Sequence, residues 1–194
     1  MSNPDVLQEF WYNLTDDEKN VILNNCLEEY DKLLQGKKFD VKVVKRCFKV
    51  DNEKFINSAR GGNLELVKMY VQLGADIHAD NNAALQFAAE KGHLKVVKYL
   101  VEKGANIHAD DDSALICAAE KGHLHVVKYL VKHGADIHAM DDCALIWATG
   151  HGHLSVVKYL VEQGANIHTQ DHRALTWATE NGHTKVVEYI KSLS

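Results

Sequence analysis

The chain of 194 residues lacks several features that mark whole classes of proteins. No apolar run is long enough to span a membrane, and no basic start precedes an apolar stretch, so neither a membrane segment nor a secretory signal is expected. The net charge of −5 and the absence of a long basic run argue against nucleic-acid binding. The cysteines show no C-x-x-C spacing, which predicts reduced thiols in a cytoplasmic protein. They are Cys26, Cys47, Cys117 and Cys143.

Catalytic motifs are also missing. The sequence contains no glycine-rich phosphate loop, no G-x-S-x-G and no H-E-x-x-H. Its glycines recur at regular intervals, which indicates a role in turn geometry. Cys143 has histidines nearby in sequence, as a thiol catalyst would, but each of them also occupies a regularly recurring position. We therefore predict a protein that is not an enzyme and needs no cofactor.

What the sequence does contain is one unit that recurs every 30 residues. Over residues 114–138 it reads A-L-I-C-A-A-E-K-G-H-L-H-V-V-K-Y-L-V-K-H-G-A-D-I-H. Close copies cover 84–108 and 144–168, a looser copy covers 54–78, and a shortened copy begins at residue 174. A period of this length is typical of stacked repeats, which bury their apolar faces only against their neighbours. Such an array predicts a binding surface rather than a catalyst.

One unit, at residues 112–141, predicts two helices joined by a turn and followed by a loop. Asp112 is placed to cap the first helix, and Gly122 to end it in the left-handed region. His123 begins the second helix, and Gly134 ends it. Apolar residues recur at helical spacing on both helices. They are Leu115, Ala118 and Ala119 on the first helix and Leu124, Val127, Leu130 and Val131 on the second.

The shared pattern is A-L-x-x-A-A-x-x-G-H-L-x-V-V-K-Y-L-V-x-x-G-A-x-I-H, and it covers 52–194. It resembles the ankyrin repeat, which implies an all-α solenoid with short loop or hairpin fingers that binds proteins without catalysis. The family's repeat usually has about 33 residues and carries T-P-L-H, which is absent here. Histidine stands where the family has a loop asparagine, at His78, His108, His138 and His168. This shorter repeat is similar to the ankyrin proteins of giant DNA viruses of amoebae (mimivirus-like), which implies a host protein as partner and the host cytoplasm as location.

Residues 1–51 do not fit the repeat. Thr15 and Glu18 form a capping box before a helix predicted at about 16–35, with shorter helices predicted at about 6–12 and 41–50. We predict that this region is a helical cap that seals the solenoid. The alternative is an adaptor that recruits ubiquitin machinery. The repeats are predicted at 52–81, 82–111, 112–141 and 142–171, with a C-terminal capping repeat at 172–194.

A helical wheel places one residue of each first helix opposite its apolar face. The resemblance implies that this face lines a concave groove, so the following residues are predicted to form a partner-binding row. They are Phe87, Cys117, Trp147 and Trp177, flanked by Lys91, Lys121 and His151. The alternative is that the rings only cover the shortened loops and the neighbouring repeats.

The predicted loop tips are acidic. Asp80, Asp110, Asp111 and Asp141 are expected to bind a basic partner segment, whereas His172 and Arg173 interrupt the acidic stripe. The alternative is that loop aspartates cap helices and complete turns, most clearly at Asp112 and Asp142. A structural role as a self-associating assembly component is the alternative from another class. The protein is otherwise expected to be monomeric.

The twelve histidines raise the question of a metal site. Equivalent histidines in successive repeats should lie about 10 Å apart, too far to share a zinc ion whose ligands lie about 2 Å away. We therefore predict no metal, and we expect the histidines to bond the loop backbone. If they are neutral in the fold, mild acid should loosen the array.

Overall fold

Ten helices and no strand make up residues 51–193, which are the residues that this computed structural model describes. The predicted N-terminal cap and its adaptor alternative lie outside this range. One compact unit comprises Asn52–Val71 and Asp76–Ser194. The helices are α1 (Asn52–Arg60), α2 (Leu64–Leu73), α3 (Ala79–Glu90), α4 (Leu94–Glu102), α5 (Ala109–Glu120), α6 (Leu124–Lys132), α7 (Ala139–Gly150), α8 (Leu154–Glu162), α9 (Thr169–Glu180) and α10 (Thr184–Lys191).

The helices are arranged in two layers. The first helices of the repeats, α1, α3, α5, α7 and α9, pack side by side, and each also packs on the second helix of its own repeat from α3 onwards. Ala118 and Ala119 are fully buried, and such small side chains allow the first helices to approach closely. The second helices α4, α6, α8 and α10 contact one another less extensively. This repeated packing of helix pairs confirms the predicted all-α repeat solenoid.

The glycine positions end the helices as predicted. Gly122 has φ +76°, the His123 amide donates to the Ala118 carbonyl at 2.9 Å, and the Gly122 amide donates to Ala119 at 3.1 Å. These two bonds form a Schellman motif, which satisfies carbonyls that the end of a helix would leave unpaired. The same motif recurs at Gly134, where the Ala135 amide donates to the Leu130 carbonyl at 3.0 Å.

The buried face of α6 differs slightly from the prediction. Val126, Val127 and Leu130 are fully buried, whereas Leu124 and Val131 are only half-buried. The buried arc is shifted because α6 contacts α4 and α8 as well as the first helix of its own repeat. Cys117 and Cys143 are half-buried free thiols.

The starts of α3, α5 and α7 each contain a left-handed turn. Asp110, Asp111 and Asp112 all have positive φ, between 52° and 59°, so regular helical geometry in α5 follows Asp112. Asp and Asn tolerate this region better than most residues. The predicted capping role of Asp112 is therefore wrong. Its carboxylate accepts the Asp136 amide at 3.0 Å and the His108 Nδ1–H at 3.2 Å, and it is 5% exposed.

Candidate functional site

The predicted row occupies the same position on four first helices. Phe87 lies on α3, Cys117 on α5, Trp147 on α7 and Trp177 on α9, and all four side chains are half-buried. Because these helices pack side by side, equivalent positions follow one another across the layer. The row therefore presents a partly exposed surface of three rings and one thiol.

The rings of the row also contact other side chains. Trp147 and Trp177 lie with their ring centroids 5.3 Å apart at an interplanar angle of 72°. His151 stacks on Trp147 at 5.6 Å, and its Nδ1–H donates to the Trp147 carbonyl at 3.0 Å. The Arg173 guanidinium lies 4.3 Å from the Trp177 ring centroid. These contacts orient the indoles while leaving part of each exposed. The partner-binding role of the row stays a prediction.

An open cleft of about 600 Å³ lies at the C-terminal ends of α7 and α9. Its lining residues are Trp147, Gly150, His151, Trp177, Glu180, Asn181 and His183. Gly150 makes room for the indole, because a Cβ there would lie 2.8 Å from Trp177 Cε3. The equivalent residues of other repeats are Glu90, Glu120 and Glu180. The cleft thus depends on one departure from the repeat pattern.

The glutamate–lysine ion pairs at the ends of α3 and α5 have no counterpart at the end of α9 among the described residues. Glu90 pairs with Lys91 at 2.9 Å and Glu120 with Lys121 at 2.7 Å. The predicted contact residues Lys91 and Lys121 are therefore already engaged, although such exposed pairs contribute little stability. Glu180 is followed by asparagine and forms no ion pair within residues 51–193.

Sequence reasoning did not select Gly150, Glu180 and Asn181 as site residues. The available signal was the replacement of glutamate by glycine at one repeat and of lysine by asparagine at the next. Asn181 reaches back to the preceding repeat, where its Nδ2–H donates to the Gly150 carbonyl at 3.0 Å. The cleft is therefore built across the boundary between two repeats.

The loop aspartates divide into two groups. Asp80, Asp110, Asp111 and Asp141 are exposed, as the acidic-stripe prediction requires. Asp112 and Asp142 are instead buried, at 5% and 3% exposure. The Asp142 carboxylate accepts the Asn166 amide at 3.1 Å and the His138 Nδ1–H at 2.9 Å. The buried group thus ties neighbouring loops together, and the exposed group is available to solvent.

Four histidines, each following the glycine that ends a first helix, bond the backbone of the preceding repeat. His123 Nε2–H donates to the Glu90 carbonyl at 2.9 Å, and His153 Nε2–H donates to Glu120 at 2.8 Å. His93 and His183 bond Arg60 and Gly150 in the same way. This confirms the predicted structural role. Within residues 51–193, no group of three or more histidine, cysteine or acidic side chains could hold a metal ion.

One member of this series predicts a pH dependence. Burial lowers the pKa of His123 below its usual 6.5, and the nearby His125, His153 and His93 act in the same direction, against the bond to Glu90. The unfolded chain therefore binds a proton more readily, so this contribution to stability is complete above about pH 6.5 and is lost as the pH falls below it.

We expect the free energy of unfolding to fall between about pH 7 and about pH 5. The fall should be smaller in His123→Gln, because glutamine has no imidazole to take up a proton. The difference should be about a few tenths of a kcal/mol, because solvent screens the partly exposed His123. Urea denaturation of both proteins at the two pH values measures the difference. An identical pH dependence in the two proteins would contradict this assignment.

The stacked helix pairs, with glycine-ended helices and backbone-linked repeats, define a helical-repeat protein. The family model "Ankyrin repeats (3 copies)" matches residues 55–141 and 139–193, and the chain belongs to this family. Ankyrin repeats generally mediate protein–protein interaction and are typically non-catalytic. A comparison with curated proteins finds no match. Among the described residues, no helix has both the length and the apolar character needed to cross a membrane.

Proposed function

We propose that the chain binds a protein partner through the first-helix surface, with the cleft between Trp147 and Trp177 as its centre. The cleft carries the proposal, because two partly exposed indoles lie side by side along it. A glycine that no other described repeat has at this position lets the second indole lie there. Tryptophan is among the residues most often found at the energetic centre of protein interfaces. The fixed orientation of both indoles lowers the entropy cost of binding.

The exposed aspartates favour a partner with a basic segment. The left-handed turns at the starts of α3, α5 and α7 carry exposed aspartates, namely Asp80, Asp110, Asp111 and Asp141. The chain is also acidic overall. Complementary charge of this kind speeds association and fixes the orientation of a partner. Arg173, over Trp177, ends the acidic series.

We further propose that the protein acts as a monomer in the cytoplasm. The similarity of the shortened repeat to those of giant-virus ankyrin proteins supports a host protein as the partner. Two half-buried thiols, Cys117 and Cys143, are consistent with a reducing compartment.

The test is quantitative capture of proteins from a cell lysate, identified by mass spectrometry, followed by binding measurements with the purified partner. Trp147→Leu/Trp177→Leu should weaken binding at least tenfold, because truncating an interface tryptophan commonly costs about 2 kcal/mol or more. The matched control is Tyr129→Leu/Tyr159→Leu, which removes two half-buried rings from second helices. Circular dichroism establishes that all variants remain folded. Equal binding by the folded tryptophan variant and the wild type would exclude the cleft as the site.

A further inference from the structure

Guanidinium groups of the chain already stack on two rings of the row. Arg60 lies 3.7 Å from the centroid of the Phe87 ring, and Arg173 lies 4.3 Å from that of Trp177. The planar guanidinium stacks on aromatic faces more effectively than an ammonium group does. Trp147, the remaining ring of the row, has no such partner among the residues that the structure describes. His151 stacks on Trp147 instead, so Trp147 is the one ring of the row that no arginine or lysine of the described residues covers.

A carboxylate that has no counter-ion among the described residues lines the same cleft. Glu180 is exposed, and unlike Glu90 and Glu120 it has no lysine beside it in the sequence. Arginine presents paired N–H donors that match the two oxygens of a carboxylate. Because Arg173 occupies Trp177, Trp147 and Glu180 are the two cleft groups left to receive an incoming cation.

Gly150 lets Trp177 lie close to α7, because the indole occupies the space that a side chain there would fill. A glutamate at this position, as in the two preceding repeats, would collide with Trp177 and place a second acidic group beside the cleft. The open cleft beside the two indoles can take the alkyl stem of an incoming side chain, since long cationic side chains bury their stems on apolar surfaces. The acidic loops at Asp110, Asp111 and Asp141 complement further basic residues in the same segment.

We infer that the cleft binds an arginine side chain of the partner's basic segment, stacked on Trp147 and paired with Glu180. This inference rests on the proposed function and adds the residue type that the site selects. Lysine should bind less well, because it offers no planar face to the indole and no paired donors to the carboxylate. The preference for arginine over lysine is therefore the property that distinguishes this cleft from a general acidic surface.

The test uses fluorescence anisotropy with a fluorescein-labelled peptide of alternating arginine and glycine, and a matched peptide with lysine in place of arginine. The wild-type chain should bind the arginine peptide about fivefold more tightly than the lysine peptide. Glu180→Gln should abolish that preference. The control Glu120→Gln, which alters the equivalent carboxylate where Lys121 is its partner, should retain it.

The outcomes separate this inference from the proposed function. Equal binding of the two peptides, or a preference that persists in Glu180→Gln, overturns the arginine site. If the equal binding is also weakened by Asp110→Asn/Asp111→Asn and by added salt, the acidic surface still recognises basic segments and the proposed function stands. If neither peptide binds the wild-type chain, both proposals fail.

Discussion

Replacing Gly122 by alanine is expected to lower the free energy of unfolding by about 2–3 kcal/mol. Two causes act together. The left-handed backbone, with φ +76°, costs an L-residue about 1–2 kcal/mol. The new Cβ would also lie 2.5 Å from His153 Nδ1 and 2.7 Å from Cε1 and Cγ of the same ring. The ring must therefore move, and its bond to the Glu120 carbonyl would weaken.

Gly134 provides the matched control. It also has a left-handed backbone, with φ +100°, but a Cβ there would have no atom within 4 Å. Gly134→Ala should therefore cost only about 1–2 kcal/mol, the backbone contribution alone. In the background of His153→Ala, the steric part of the Gly122→Ala cost should disappear, so the two changes should not be additive. Urea denaturation followed by circular dichroism measures the free energy of unfolding of the wild type, of Gly122→Ala, Gly134→Ala and His153→Ala, and of the double variant. Equal costs at the two glycines would show that the histidine ring is not tightly held.

Replacing Asp142 by alanine is expected to cost about 2 kcal/mol of unfolding free energy. The carboxylate is 3% exposed and accepts the backbone amide of Asn166 from the following loop. Alanine would leave that partly buried amide without its acceptor, and removing one partner of such a bond commonly costs about 1–3 kcal/mol. The loss should also loosen the junction between α7 and α9.

The chain itself contains the conservative variant. Asn82, at the equivalent position, accepts the Asn106 amide at 2.8 Å and the His78 Nδ1–H at 3.1 Å through its amide oxygen. Asp142→Asn should therefore cost less than about 1 kcal/mol, because the acceptor is retained. Asp141→Ala, which changes the exposed neighbour, should have little effect. Thermal and urea denaturation give the order of stability. If asparagine were as damaging as alanine, the negative charge rather than the hydrogen-bond acceptor would be the stabilising property.

The helix pairs and their ends were predictable from the sequence because they depend on local rules. Apolar spacing indicated the buried faces of α5 and α6, and glycine indicated the Schellman motifs at Gly122 and Gly134. The resemblance to ankyrin repeats added the stacking of equivalent helices. The backbone role of His123 followed from its regular recurrence, although its acceptor, Glu90, lies 33 residues away.

The loop and the cleft were less predictable because they depend on neighbouring repeats. Asp112 has the chemistry of a helix cap, but a left-handed turn directs its carboxylate to an amide 24 residues later. No local rule identifies that acceptor role. The cleft likewise requires Gly150 to be considered with Trp177, whose ring fills the space of the missing side chain. Averaging over repeats hides such a pair, since the glycine departs from the consensus in one repeat and the ring belongs to the next.

The link from each histidine to the repeat before it has a consequence for how such a chain can grow. Each of the three middle units carries its own donor, at His93, His123 and His153, and a backbone carbonyl for the next unit to use. Duplication of a unit therefore supplies both halves of a new junction, and the array can lengthen without any new interface having to evolve. The cleft, in contrast, would be lost if a unit were inserted within it. A unit inserted between Gly150 and Trp177 would separate the glycine from the ring it accommodates, so the order of the last two repeats is constrained while the number before them is open to change.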